Sequence, residues 1–317
     1  MKILSGIFLI MAFCACKSSD NELVDSEDCE STQVLDSSRG ACNQDLTPDP
    51  LYNQSVQGNT RIINSNSIPE HLVGLFGGGQ GSLNPNAISA QSGTYRLNSN
   101  PTTTNSFTAL LSTSGTGRNA GPQYSFGILL NGVELDPIAA EPFPHQGAQS
   151  SNANWEWNLE ALNVNLGLDC NNAHVQPNGK YHYHGSPTLF LDKLNAPSNK
   201  MTLIGYAADG FPIYYKYAYT DASSATAVSK MTSSYQLKSG KRPGNGITAP
   251  CGDYNGVYSN DYEYIDGLGT LDQANGRTGV TPEFPNGTYH YYATDSYPYL
   301  QRCVTGEVEA GNGGPPQ

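Results

Sequence analysis

An octet of this chain occurs twice. Pro177-Asn178-Gly179-Lys180-Tyr181-His182-Tyr183-His184 returns 108 residues later as Pro285-Asn286-Gly287-Thr288-Tyr289-His290-Tyr291-Tyr292, with six of eight positions identical. Both copies open on Asn-Gly, the strongest short turn signal, and continue with residues that suit a pleated strand. Side chains alternate faces along a strand. Tyr181 and Tyr183 therefore share one face, and Lys180, His182 and His184 share the other; the second copy separates Tyr289 and Tyr291 from Thr288, His290 and Tyr292 in the same way. The paired tyrosines read as packing residues whose hydroxyls each need a partner. The opposite faces hold three of the six histidines, and a fourth, His174, lies just upstream.

Turn length decides whether His174 joins them. A two-residue turn at Asn178-Gly179 sets Val175 opposite His182. A three-residue turn at Pro177-Asn178-Gly179 sets His174 opposite His182 on the histidine face, and this register is favoured because it gathers the polar groups. The octet extends no further in a fixed register, so a solenoid or propeller is not supported.

The rest of the chain agrees with short strands and turns. Of 317 residues, 34 are Gly and 20 Pro, and only 14% are charged; long helices want neither excess. Alternating or apolar segments such as Tyr124–Leu130 and Trp155–Leu162 are separated by Asn-Gly, Pro and Ser clusters. The fold class expected is mainly β, a single β-sandwich or barrel-like domain of short antiparallel strands with few short helices. The Ala-rich stretch Thr220–Met231 is the one candidate helix. Twenty-eight acidic against 16 basic residues, with no basic run, argues against nucleic acid as a partner. The glycines Gly77–Gly81 lack the helix and lysine of a phosphate loop, and neither CxxC nor GxSxG occurs.

Residues 1–15, with Lys2 followed by the apolar run Ile3–Phe13, read as a lipoprotein signal peptide too short to span a bilayer, and Ala15 before Cys16 makes Cys16 the expected lipidated residue. The protein is then expected outside the cytoplasm, facing the periplasm or the surface and touching the outer membrane through its lipid only. Residues 16–58 read as a flexible tether, 59–305 as the folded domain and 306–317 as a disordered tail. Cys29, Cys42, Cys170, Cys251 and Cys303 follow the signal. In an oxidising compartment Cys29 with Cys42 would close a short loop, and two of the other three would pair, leaving one thiol.

The stretch Gly167-Leu168-Asp169-Cys170-Asn171-Asn172-Ala173-His174 through Tyr181-His182-Tyr183-His184-Gly185 resembles the signature of YHYH-domain proteins. Asp209-Gly210-Phe211-Pro212-Ile213-Tyr214, Asn275-Gly276-Arg277 and Pro282 to Tyr291 resemble that family's other blocks, so the likeness covers roughly residues 120 to 304. It implies a secreted or lipid-anchored domain and no defined activity. Many relatives carry an acidic residue and a cysteine before Asn-Gly-Arg where this chain has Gln273-Ala274, a departure that would account for the odd cysteine count.

Three readings of the histidines stand side by side. In the first, the chain is a lyase or dehydratase that performs β-elimination on uronic-acid-containing oligosaccharides or polysaccharides, with no cofactor required. Lys180 or Arg277 would neutralise the uronate carboxylate, and His174, His182, His184, His290 and Tyr292 would exchange protons. Trp155 and Trp157 would then stack on sugar rings, or else form one buried face of a strand. In the second, His174, His182 and His184 bind a divalent metal, Zn or Cu, although Lys180 on the same face would repel it. In the third, the histidines and tyrosines are a hydrogen-bonded polar core of a glycan-binding or structural lipoprotein. The acidic stretch Asp253–Asp272, with Asp261, Glu263 and Asp266, reads as a solvated loop rather than a Ca²⁺ site. Asp209 reads as a turn residue or as the carboxylate that orients an imidazole.

Overall fold

A computed structural model describes Cys29, residues 33–114 and residues 120–309. The expected signal peptide with Cys16, and most of the expected tail, lie outside the described residues. The chain is mainly β, built from many short strands that are mostly antiparallel, with one α-helix, Thr188–Lys193, among the described residues. Its centre is an eight-stranded sheet: β1 (Gly127–Leu129), β2 (Glu134–Leu135), β3 (Ala173–Val175), β4 (Tyr181–Tyr183), β5 (Thr202–Ala207), β6 (Pro212–Tyr215), β7 (Gly276–Gly279) and β8 (Thr288–Ala293), in the spatial order β3-β4-β2-β1-β5-β6-β8-β7. The sheet ends on β3 and β7, which do not meet, so no barrel closes.

Both octets form the strands expected of them. Gly179 and Gly287 sit at φ +85° and +88°, a region open to glycine and closed to most other residues, and each turns the chain into β4 or β8. In β3–β4 His174 pairs with His182 and Val175 with Tyr181, while Gly179 N–H donates to the Gln176 carbonyl. This is the three-residue turn. Tyr181, Tyr183, Tyr289 and Tyr291 all enter the main core with Phe126, Leu135, Phe211 and Ile213. Edge-to-face pairs form within each octet, Tyr181 with Tyr183 at 5.6 Å and Tyr289 with Tyr291 at 5.1 Å. Such contacts add to the stabilisation from burying the rings. Every hydroxyl finds a partner: Asp169 for Tyr181, Asp272 for Tyr289, Asp209 for Tyr291, and His71 with Asn131 for Tyr183. Asp209 thus anchors a tyrosine and not an imidazole.

Several expectations are overturned. The described part of the 16–58 tether is built into the domain: Arg39 Nε donates to Asn172 Oδ1 at 2.7 Å, Gly40 bridges Asp169, and Tyr52–Gln57 pairs with Thr60–Ser65 as a hairpin. Cys29 and Cys42 do not join each other. The disulfides among the described residues are Cys29–Cys251 and Cys42–Cys170, long-range links that fasten the N-terminal segment to the rest of the domain. Among the described residues buried Cys303 is the free thiol, its Sγ 3.9 Å from the Gln273 carbonyl, beside the position where the family resemblance places the missing cysteine. Thr220–Met231 forms no helix; its last residues, Val228–Lys230, pair with Tyr217–Tyr219 instead. Trp155 and Trp157 lie on the buried face of Asn154–Asn158 and are no open platform for sugars. Asp261 is fully buried and forms a two-point ion pair with Arg242, so that part of the acidic stretch is not solvated.

Candidate metal centre

The histidine face of β4 is set by pairing on both sides. β3 brings His174 opposite His182, and parallel β2 sets Glu134 beside His182. Asp136, one step past β2, donates its N–H to the Tyr183 carbonyl, which carries the same alternation on to put its side chain on the face of His184. Imidazoles from His174, His182 and His184 converge there with ring centroids 4.8 Å apart in all three pairs. His184 Nε2 is 3.0 Å from His182 Nε2 and 3.0 Å from His174 Nε2.

The protons on two of these rings follow from their other nitrogens. His174 Nδ1 is 3.0 Å from the Leu166 carbonyl, and His182 Nδ1 is 3.3 Å from the Lys180 carbonyl. A carbonyl only accepts, so each Nδ1 carries the proton and each Nε2 turns a lone pair toward the centre. Backbone carbonyls commonly fix metal-binding imidazoles in this way. His184 has at most one Nε2 proton to share between two facing lone pairs. Burial pushes the His174 pKa down; for His182 and His184 it pushes the pKa well down, and their neighbouring imidazoles push it further. All three are neutral near pH 7. Nitrogens about 2.0 to 2.1 Å from a tetrahedral Zn²⁺ stand roughly 3.3 Å apart, a few tenths of an ångström from the 3.0 Å of the two His184 pairs, and all three ligand nitrogens lie within 4.8 Å of one another.

Lys180 is held by an ion pair. Its ammonium is 2.8 Å from Glu134 Oε2, and Glu134 also accepts from Tyr95 and Ser125. The three rings line a cavity of about 470 Å³ together with Asp136, Gln176, Asn84, Asn86 and Gln149. Asp136 is buried; its Oδ2 is 3.4 Å from Gln176 Nε2, and its Oδ1 has no hydrogen-bond partner. Burial and then the Glu134 charge raise its pKa to about 8. Sequence reasoning missed Asp136 and Glu134, although the acid and apolar residues alternate through Val133-Glu134-Leu135-Asp136.

The other predicted residues stand elsewhere. β4 and β8 are separated by four strands, roughly 24 Å at the usual strand spacing. His290, Tyr292 and Arg277 therefore cannot share a small substrate's reacting carbon with His182. The expected site uniting both octets is two clusters at opposite ends of the sheet. In the second, Tyr292 Oη lies 2.5 Å from His290 Nε2, and His290 Nδ1 donates to the Thr288 carbonyl at 3.0 Å. Matching against protein families aligns residues 94–306 with the family described as YHYH protein.

The chain belongs to the YHYH family. No curated protein and no solved structure matches it. The eponymous tyrosines of the YHYH motif are core residues, and the eponymous histidines are two of the three converging imidazoles. The remaining histidines, His71 and His145, bond the hydroxyls of Tyr183 and Tyr258.

The second cluster predicts how the metal-free domain responds to acid. Burial holds the His290 pKa at about 4, whereas an unfolded imidazole titrates near 6.5. The unfolded chain binds the extra proton between those values. His290 should therefore cost the fold nothing above pH 6.5 and up to roughly 3 kcal/mol as pH falls to 4. Urea melts across that range should slope more steeply for wild type than for His290→Gln; equal slopes would remove His290 from the account.

Proposed function

We propose that this YHYH protein is an extracytoplasmic metalloprotein that holds one divalent transition metal on His174, His182 and His184, and that it acts there by β-elimination on uronic-acid-containing oligosaccharides. The observation that carries the metal reading is the convergence of the three Nε2 atoms, two with lone pairs fixed inward by backbone carbonyls. Imidazole ligands suit Zn²⁺ and Cu²⁺. The disulfides favour an oxidising compartment, in keeping with the lipid anchor expected at Cys16.

The elimination reading moves wholly to this cavity. Lys180 is already paired with Glu134, and Arg277 is at the far end of the sheet. When bound, the metal supplies the positive charge that a uronate carboxylate needs before its C5 proton can be removed. The amides of Asn84, Asn86, Gln149 and Gln176 offer paired donors and acceptors for sugar hydroxyls, and the volume fits a sugar unit. Asp136 takes the C5 proton on its free Oδ1. The C5–H electron pair becomes the C4–C5 double bond, and the C4–O bond breaks with protonation of the departing oxygen by water. The high pKa of Asp136 makes its carboxylate a strong base once ionised.

Metal-loaded protein incubated with uronate oligosaccharides should give an unsaturated product detectable by its ultraviolet enoate absorbance. Product should be lost in His184→Ala. Binding of such oligosaccharides without product would leave a glycan-binding metalloprotein and end the elimination reading.

A further inference from the structure

The strand order reads the same from either end. β3-β4-β2-β1 is followed by β5-β6-β8-β7, and each half contains two antiparallel pairs joined by one parallel pair, β4 with β2 and β8 with β6. The halves meet where Ile128 of β1 pairs with Tyr206 of β5, flanked by Gly127 with Ala207 and Leu129 with Gly205. Gly127 and Gly205 are equivalent across this junction. A Cβ on Gly127 would stand 2.5 Å from the Tyr206 carbonyl oxygen, and one on Gly205 would stand 2.4 Å from that of Ile128.

The likeness extends to single hydrogen bonds. Leu168-Asp169-x-x-Asn172-x-His174 matches Leu271-Asp272-x-x-Asn275-x-Arg277. Asn172 and Asn275 sit at φ +56° and +55°; Asp169 accepts from Tyr181 at 2.8 Å and Asp272 from Tyr289 at 2.9 Å. The Asn172 carbonyl accepts from His184 N–H and the Asn275 carbonyl from Tyr292 N–H. By pairing, Arg277 stands opposite His290 as His174 stands opposite His182, and Tyr292 takes the place of His184. Tyr214, next to Tyr292 on β6, takes the place of Asp136.

We infer that the YHYH domain is one four-stranded unit present twice, and that the second copy is the same centre with two of its three metal ligands replaced, so the chain binds one metal where its architecture provides for two. This rests on the reading of His174, His182 and His184 as a metal centre. The replacements satisfy the inward histidine nitrogen. His290, its Nδ1 proton given to a carbonyl as in His182, turns an Nε2 lone pair inward, and the Tyr292 hydroxyl donates to it. Arg277 in turn donates to the Tyr219 carbonyl. A guanidinium brings a fixed positive charge to the second copy, and the Tyr292 hydroxyl occupies the one inward imidazole lone pair.

The test is metal stoichiometry by equilibrium dialysis against Zn²⁺ and elemental analysis, with circular dichroism to establish folding. Wild type should hold one equivalent and Arg277→His/Tyr292→His two. The reverse exchange, His174→Arg/His184→Tyr, should hold none and still fold, because the second copy folds with those residues. A folded Arg277→His/Tyr292→His protein with no more metal than wild type overturns the inference, as does a reverse exchange that cannot fold. Should the first variant not fold, the reverse exchange decides alone. Zero equivalents in wild type with one in the variant would instead overturn the proposed function and leave the duplication standing.

Discussion

Replacing His182 with alanine is expected to weaken metal binding by more than roughly 100-fold. Even partners one shell beyond a metal are worth 10- to 100-fold in affinity, and His182 supplies a ligand itself. Its ring is buried between β3 and β2, so solvent cannot restore the missing nitrogen in the same geometry. Metal that binds only the folded state at a thousand times its dissociation constant adds about 4 kcal/mol of stability. Wild type should therefore melt several degrees higher with Zn²⁺ than without, while His182→Ala should show almost no shift. Differential scanning calorimetry with and without Zn²⁺ reads this. Equal shifts in both proteins would place the ion elsewhere.

Asp136→Asn is expected to stabilise the metal-free domain in alkali and to slow elimination sharply. Folded Asp136 keeps its proton to about pH 8, whereas an unfolded aspartate releases it near 3.9. The fold therefore binds the extra proton between those values and loses stability as pH rises through them, by at most roughly 6 kcal/mol. Asparagine has the same shape and no charge to bury, so urea midpoints of the variant should exceed those of wild type at pH 8.5 and approach them at pH 4. Loss of a positioned base should cost about 100- to 10,000-fold in kcat. A variant with unchanged alkaline stability would mean that Asp136 reaches solvent; full turnover would mean that another group takes the C5 proton.

Much of this was legible in the octets. A period of two divides tyrosine from histidine whatever the strands around them do, and the polar residues near Asn178-Gly179 gather in one register only. That is why the tyrosine core and the opposition of His174 to His182 were read correctly from the chain. Strand order is a long-range property. Nothing local to Tyr181–His184 or Tyr289–Tyr292 states that four strands lie between them. The duplication was obscured because β3 joins β4 through a short turn, whereas residues 280–287 join β7 to β8, so no single offset aligns both blocks. Asp136 was overlooked because a two-residue strand carries almost no periodic signal. The disulfide partners were unreadable because Cys42 meets Cys170, and Cys29 meets Cys251, only after the N-terminal segment has folded back onto the sheet.

The central claim is that three inward-facing imidazoles hold one metal ion. Protein purified without chelator, dialysed against Zn²⁺ and assayed for bound metal tests it most directly. The account predicts one equivalent per wild-type chain, none in His182→Ala and one in His290→Gln. Wild-type protein that is folded and holds no metal, or that holds as much after His182→Ala as before, would contradict it.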